Sequence, residues 1–288
     1  MKKHTLISIF LVIMGLLLFA GCTPGSTENG GDDKTVIAVS IPPESAFVQA
    51  VAGDDYEIVT MVPSGNSPAN YEPTPALKEK FAQAAIYFSI GVPTEANNIL
   101  PYVAEGTQVV SLNDAATQVY DELLLDGERD PHVWLSPKRV IVMIKTIRDE
   151  LSLLDPAGTD TYEANAAAYI AQLEELDTSL KEMLAGVTNR KFIVFHPAFG
   201  YLADDYDLEM YALEEEGKEA TAAHMQEVID LAKEEGIKVI FYQAEIDSHQ
   251  SEAFAEELNG KTVMLDPLSE DYIENMKLMV NTMAEVME

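Results

Sequence analysis

The sequence predicts an α/β protein in which two lobes of mainly parallel sheet are joined by a long helix. Three observations carry that expectation. Short β-branched runs alternate with helical stretches in both halves of the chain, and the runs are mainly apolar, as strands covered on both faces are. Residues 161–184 form a helical stretch of about six turns with no Gly or Pro inside, at the midpoint of the chain. With 288 residues and 47% hydrophobic content, the chain can bury a core large enough for two lobes.

In order, residues 35–40 (TVIAVS), 57–62, 85–90 (AIYFSI) and 108–112 read as strands. Residues 45–53, 73–84 and 95–103 read as the helices among them, and Pro42-Pro43, Pro63-Ser64-Gly65 and Gly91 punctuate the strand ends. Residues 136–154 place Val140, Met143, Ile144, Ile147, Leu151 and Leu154 on one 3.6-residue stripe, with Ser136 as cap and Pro137 in the first turn. Asp155-Pro156-Ala157-Gly158 breaks that helix before residues 161–184 resume. The second half repeats the alternation. Strands are expected at 191–195, 208–213 (the weaker one), 237–242 and 261–265, and helices at 220–235, 249–258 and from 269 to the end. Gly236 suits the C-cap of the first of these helices. The expected division is residues 35–158 for the first lobe, 159–187 for the linking helix and 188–288 for the second lobe.

Ahead of the fold, Met1-Lys2-Lys3-His4 is a short basic start, residues 5–20 are apolar, and Leu18-Phe19-Ala20-Gly21-Cys22 ends in the one cysteine of the chain. This resembles a bacterial lipoprotein signal. The resemblance implies that residues 1–21 are removed and that a lipidated Cys22 anchors the chain outside the cytoplasm, on the membrane. Residues 22–34 are rich in Gly, Ser and Asp and read as a flexible tether. No disulfide framework is available to a single cysteine. Loss of residues 1–21 removes two lysines and no acids, leaving 16 basic against 49 acidic residues, a formal charge of −33. Such a surface repels nucleic acid and anionic headgroups and concentrates cations, so no nucleic-acid partner is expected.

Ligands of parallel α/β sheets gather beyond the carboxyl ends of the strands. The polar residues just past those ends are Ser40, Glu44, Asn66, Asn70, Glu95, His196, Gln243, Glu245 and Asp266. His196 and Asp266 follow their strands directly, and each is followed by proline. His132 lies between Pro131 and Pro137, beside Trp134, the one tryptophan. Two imidazoles and a carboxylate on rigid supports suit zinc, and also manganese or iron. No two of them are close in sequence, so no local spacing rule applies. His224 is expected to be solvent-exposed on a polar helix, His249 to sit at a surface helix start, and Glu214-Glu215-Glu216 to be a solvated charge run. His4 falls in the signal, and Tyr201 and Tyr206 are expected to pack a lobe.

Four segments follow one another along the mature chain: Pro63-Ser64-Gly65-Asn66-Ser67-Pro68-Ala69-Asn70-Tyr71-Glu72-Pro73-Thr74-Pro75, Asp130-Pro131-His132-Val133-Trp134-Leu135-Ser136-Pro137, Phe195-His196-Pro197-Ala198-Phe199-Gly200-Tyr201 and Leu265-Asp266-Pro267-Leu268. In these the chain resembles the metal-binding lipoproteins of ABC importers for zinc and manganese. The resemblance implies a two-lobed C-clamp with one metal ligand from each segment, and His132, His196 and Asp266 would be three of them. At the fourth position this chain departs, with Asn70 where the family usually has its first histidine. An amide oxygen is a neutral, hard donor, better suited to manganese or calcium than to zinc. The site would keep three strong ligands plus Asn70 or a water, or recruit Glu245, Gln243 or Glu72. Residues 120–130, where the family often carries a histidine-rich loop, are acidic and hold no histidine. The expected function is that of an extracytoplasmic solute-binding lipoprotein without catalysis, acting as a monomer. It would capture a divalent transition metal, zinc first and manganese next, for an ABC-type metal permease. A metal-dependent hydrolase using the two histidines and a carboxylate, and a surface adhesin, are the alternative readings.

Overall fold

The computed structural model describes residues 34–125, 127–214, 221–245 and 249–287. The signal segment, Cys22, nearly all of the tether, and Glu215 and Glu216 of the charge run lie outside the described residues.

The first half is built on β1 (Thr35–Val39), β2 (Tyr56–Thr60), β3 (Ala84–Ser89) and β4 (Gln108–Ser111), all parallel, in the spatial order β2-β1-β3-β4. Its helices are α1 (Pro42–Ala52), α2 (Pro75–Phe81) and α3 (Leu112–Thr117). A small antiparallel hairpin, β5 (Leu124–Leu125) and β6 (Glu128–Arg129), leads into a 3-10 turn at Val133–Leu135. Two long helices follow, α4 (Pro137–Leu154) and α5 (Thr159–Leu184), and pack against each other. The second half is β7 (Lys191–Val194), α6 (Gly200–Asp205), β8 (Glu209–Ala212), α7 (Ala222–Glu235), β9 (Val239–Gln243), α8 (His249–Glu257), β10 (Lys261–Leu265) and α9 (Tyr272–Val286). Its sheet is again wholly parallel, in the order β10-β9-β7-β8. The two sheets therefore share one winding: each starts in an inner strand, fills one edge, then returns to the other side. The point of return, between β1 and β3 and again between β7 and β9, is where the strand ends open into a crevice.

The pleat distributes the core. Phe192 and Val194 of β7 join a large apolar cluster that also holds β1, β3, α4, α5 and α9, while Ile193 and Phe195 face a smaller cluster with Val228, Ile229, Phe254 and Ala255. The stripe expected on α4 is buried at Val140, Met143, Ile144, Ile147 and Leu151, and Ser136 caps the helix by accepting from the Arg139 amide at 3.3 Å. Gly236 closes α7 in the left-handed region at φ 70°.

Some elements differ from the sequence expectation. Residues 95–103 form a π-turn (Glu95–Ile99) and a 3-10 turn (Leu100–Tyr102) rather than a regular helix. Pro101 cannot supply an amide there, and the Glu95 carboxylate turns back to accept from Ile90 and Gly91 at 2.9 and 3.1 Å. The helix expected over 73–84 is shorter, because Thr74 caps it at Leu77 and it ends at Phe81. Helix α3 and the hairpin were not expected from the pattern, and both are too short to show a period.

Candidate metal centre

His132 is fixed from its own chain. Pro131 keeps Asp130 out of helical geometry, so the Asp130 carboxylate folds forward over two residues. Its Oδ1 accepts from the His132 amide at 2.9 Å and from His132 Nδ1 at 2.7 Å. Asp130 is 3% exposed and leans against Gly200, where a Cβ would stand 2.6 Å from its Oδ2. The indole of Trp134 packs at 5.2 Å from the imidazole, ring centre to ring centre. Burial pulls the His132 pKa below its usual range against the opposing pull of Asp130, with the neighbouring His196 adding to the depression. The ring is therefore neutral at neutral pH, as a ligand must be.

His196 is fixed from the next strand. The pairing of β7 with β8 continues past both strands, with Leu213 donating to the Val194 carbonyl and Glu214 to the Phe195 carbonyl, each at 2.9 Å. Those two bonds bring Glu214 beside His196, just past Val194 and Ala212, the last paired residues of the two strands. The Nδ1–H of His196 donates to Glu214 Oε2 at 2.5 Å. With both Nδ1 atoms engaged by carboxylates, the two Nε2 atoms face each other at 3.3 Å, the rings inclined at 74°. Two unprotonated nitrogens at that distance repel unless a cation lies between them. Two imidazole nitrogens bound to one tetrahedral zinc stand about 3.4 Å apart, given Zn–N of about 2.0–2.1 Å.

These nitrogens open into a cavity of about 730 Å³, walled also by Asn70, Trp134, Gln243 and Glu245. Asn70 is exposed, on a turn pinned by the Thr94 amide to Pro68 at 3.1 Å and by Asn98 Nδ2 to the Tyr71 carbonyl at 2.9 Å. Gln243 ends β9 and is 6% exposed. Glu245 keeps its Oε2 buried with no hydrogen-bond partner, and burial first, then repulsion from Asp266, raises its pKa. The remaining expected residues fall elsewhere. Asp266 lies one residue past Leu265, which pairs with Gln243; its Oδ1 accepts from the Leu268 amide at 3.0 Å, and it is not among the residues walling the cavity. Glu72 is exposed and ion-paired with Lys78 at 3.5 Å. Ser40, Glu44 and Glu95 close the end of the first sheet: Ser40 Oγ donates to Glu95 at 2.5 Å, and Glu44 Oε2 accepts from the Ser40 and Ile41 amides at 2.9 and 3.0 Å. Asn66 is spent on the Pro63 carbonyl at 2.9 Å. Among the described residues, no group of three or more His, Cys, Asp and Glu side chains converges on one point.

Two expectations are corrected. His224 is half-buried rather than solvent-exposed, with Nε2 at 2.9 Å from the Ala212 carbonyl, because α7 lies across the end of β8. Glu214 is not solvated: it is the partner of His196, its side chain 15% exposed. His249 is at the surface as expected, 85% exposed, and near Glu252 at 3.9 Å. Glu214 and Asp130 are the residues at the two histidines that the sequence reading passed over. Asp130 was signalled by its place two residues before His132, and Glu214 by standing at a strand end, as His196 does.

Parallel sheets of shared winding, with imidazoles from two segments meeting in the crevice, define a metal-binding solute-binding fold. The comparisons agree. The family model described as "ZnuA: Zinc-uptake complex component A periplasmic" matches residues 37–286, and the chain belongs to that family. A solved ZnuA structure superposes with a TM-score of 0.83 at 35% identity, over 89% of this chain and 100% of that one. The periplasmic zinc-binding protein TroA of Treponema pallidum shares the fold, at a TM-score of 0.82 and 22% identity over 88% of this chain and 99% of that one. Among curated relatives, zinc-binding lipoprotein AdcA of Streptococcus pneumoniae R6 is 30% identical over 93% of this chain. The chain spans only 56% of the AdcA length. The high-affinity zinc uptake system protein ZnuA of Bacillus subtilis is 27% identical, over 90% of this chain and 88% of that protein.

Proposed function

We propose that this protein captures a divalent transition metal, zinc first and manganese next, in the crevice and passes it to an ABC-type metal permease. The observation that carries this reading is the pair of Nε2 atoms at 3.3 Å, each with its ring's other nitrogen held by a carboxylate. The fold and its relatives support it, and nothing in it requires a reaction of the protein's own. His132 and His196 are the first two donors. Glu245 is the next, since it walls the same cavity with a partnerless carboxylate oxygen, and Asn70 faces it from the other rim. Asp266 stands beside Glu245 and would enter the donor set through its other carboxylate oxygen, with Oδ1 staying on the Leu268 amide. In this reading the halves 35–158 and 188–288 bring donors from two sides while the segment 159–187 limits their movement. Lipidated Cys22 tethers the monomer on the extracytoplasmic side of the membrane.

The test is a thermal melt of chelator-stripped protein, alone and with zinc, manganese, iron(II) or calcium. A metal at 100 times its dissociation constant stabilises the fold by about 2.7 kcal/mol. Zinc is expected to give the largest shift and manganese the next. No shift with any of the four ends the metal-capture reading.

A further inference from the structure

In the capture reading Glu214 is the carboxylate on His196 Nδ1, and its placement is specific. This chain carries 49 acidic residues. Glu214 lies in the cavity wall with its side chain 15% exposed, held beside His196 by the bond from its amide to the Phe195 carbonyl. Its Oε2 meets the one nitrogen of His196 that points away from His132. An imidazole with no such acceptor is free to move its hydrogen to the other nitrogen, and a hydrogen on Nε2 would block the lone pair that faces His132.

We propose that Glu214 is a positioning residue for metal capture: it holds His196 as the Nδ1–H tautomer and fixes the ring so that Nε2 addresses the point shared with His132. Asp130 does the same for His132 from within its own loop. Ligand histidines are commonly held this way, and loss of such a partner costs metal affinity 10- to 100-fold. The cargo this favours is a dication with an imidazole-accepting shell, not a bare monovalent ion. The inference rests on the capture reading above.

The experiment measures zinc affinity of the whole protein by competition with a chromophoric chelator, for the wild type, Glu214→Ala, Glu214→Gln and His196→Ala. It is paired with ¹⁵N spectra of the His196 ring in the metal-free protein. Glu214→Ala is expected to weaken zinc about 10- to 100-fold and to turn His196 from one tautomer into a mixture. Glu214→Gln keeps an acceptor oxygen of the same reach, so it should preserve the tautomer and recover most of the affinity. It also carries the test if the alanine variant does not fold. Wild-type affinity and an unchanged ring spectrum in Glu214→Ala would overturn the positioning role. So would a Glu214→Gln variant as weak as the alanine. If His196→Ala itself binds zinc like the wild type, it is the capture reading that fails.

Discussion

The indole N–H of Trp134 donates to the carbonyl of Pro267 at 2.9 Å, a bond between residues 133 apart in sequence. Tyr272 returns the connection, its hydroxyl donating to the Trp134 carbonyl at 2.7 Å, and its ring meets Phe47 of α1 edge-on at 5.0 Å. The loop bearing His132 is thereby clamped to the segment that follows β10. Donors from distant parts of the chain are held by one buried aromatic bridge.

Trp134 is the single tryptophan and lies 5.2 Å from the His132 ring, so its emission should report cargo directly. Addition of zinc to stripped protein is expected to change Trp134 fluorescence with saturable, one-to-one stoichiometry. His196→Ala should abolish that response. A zinc response that persists in His196→Ala would place the metal elsewhere.

The alternation of strands and helices was legible because burial on both faces writes itself as apolar runs, and the α4 stripe because a helix of that length shows its period. The site was legible in part. His132 and His196 stand next to prolines at element ends, which exposes them to inspection. Glu214 was masked by a run of three glutamates, where composition suggests solvent, and its one signal was its place just past an expected strand. The turn at 95–102 was hidden for a related reason: a carboxylate reaching back to two amides overrides local propensity, and no spacing rule announces it.

The donor set yields to a comparison of three variants. Asn70→His should tighten zinc by about tenfold or more, since an imidazole replaces a neutral oxygen at the rim of the cavity. Glu245→Gln should weaken it by a similar factor, and Asp266→Asn by less. Calorimetric titration ranks them. An Asp266→Asn variant weaker than Glu245→Gln would reassign the carboxylate donor to Asp266.

The carboxyls at the end of the first sheet predict a pH signature unrelated to metal. Burial, followed by repulsion from Glu95, pushes the Glu44 carboxyl well above the usual glutamate range, and its Oε1 has no partner. A carboxyl that keeps its proton longer folded than unfolded binds more protons in the native state, so stability falls as pH climbs from the ordinary glutamate range toward the raised value. Glu44→Gln removes that loss. Urea midpoints of variant and wild type should coincide near pH 4 and separate in favour of the variant at pH 6 and 8. A gap independent of pH would show that titration of Glu44 is not its source.

Arg139 and Asp205 form an ion pair, 4% and 2% exposed, at 2.8 Å. The Arg139 guanidinium lies 4.6 Å from the Tyr201 ring, and Ser136 also donates to Asp205, at 2.5 Å. Arg139→Met leaves the carboxylate buried with Ser136 and Lys138 only, and is expected to cost about 3 kcal/mol in urea unfolding, the lower end for a broken buried pair. The double variant Arg139→Met, Asp205→Leu should recover much of that loss. A double variant as unstable as the single would assign the cost to packing instead.

The β7–β8 register runs from Lys191–Glu209 to Val194–Ala212, and the Glu214 amide then bonds the Phe195 carbonyl beside His196; this decides which insertions and deletions the lineage can tolerate. Residues added in the connection between β7 and β8 can loop out and leave the pair facing. A single residue lost inside β8 cannot be absorbed: Glu214 would be drawn into the place of Leu213, which is buried in the smaller apolar cluster, and His196 would be left without its acceptor. Length variation among descendants of this chain should therefore collect in the connection and be purged from the strand.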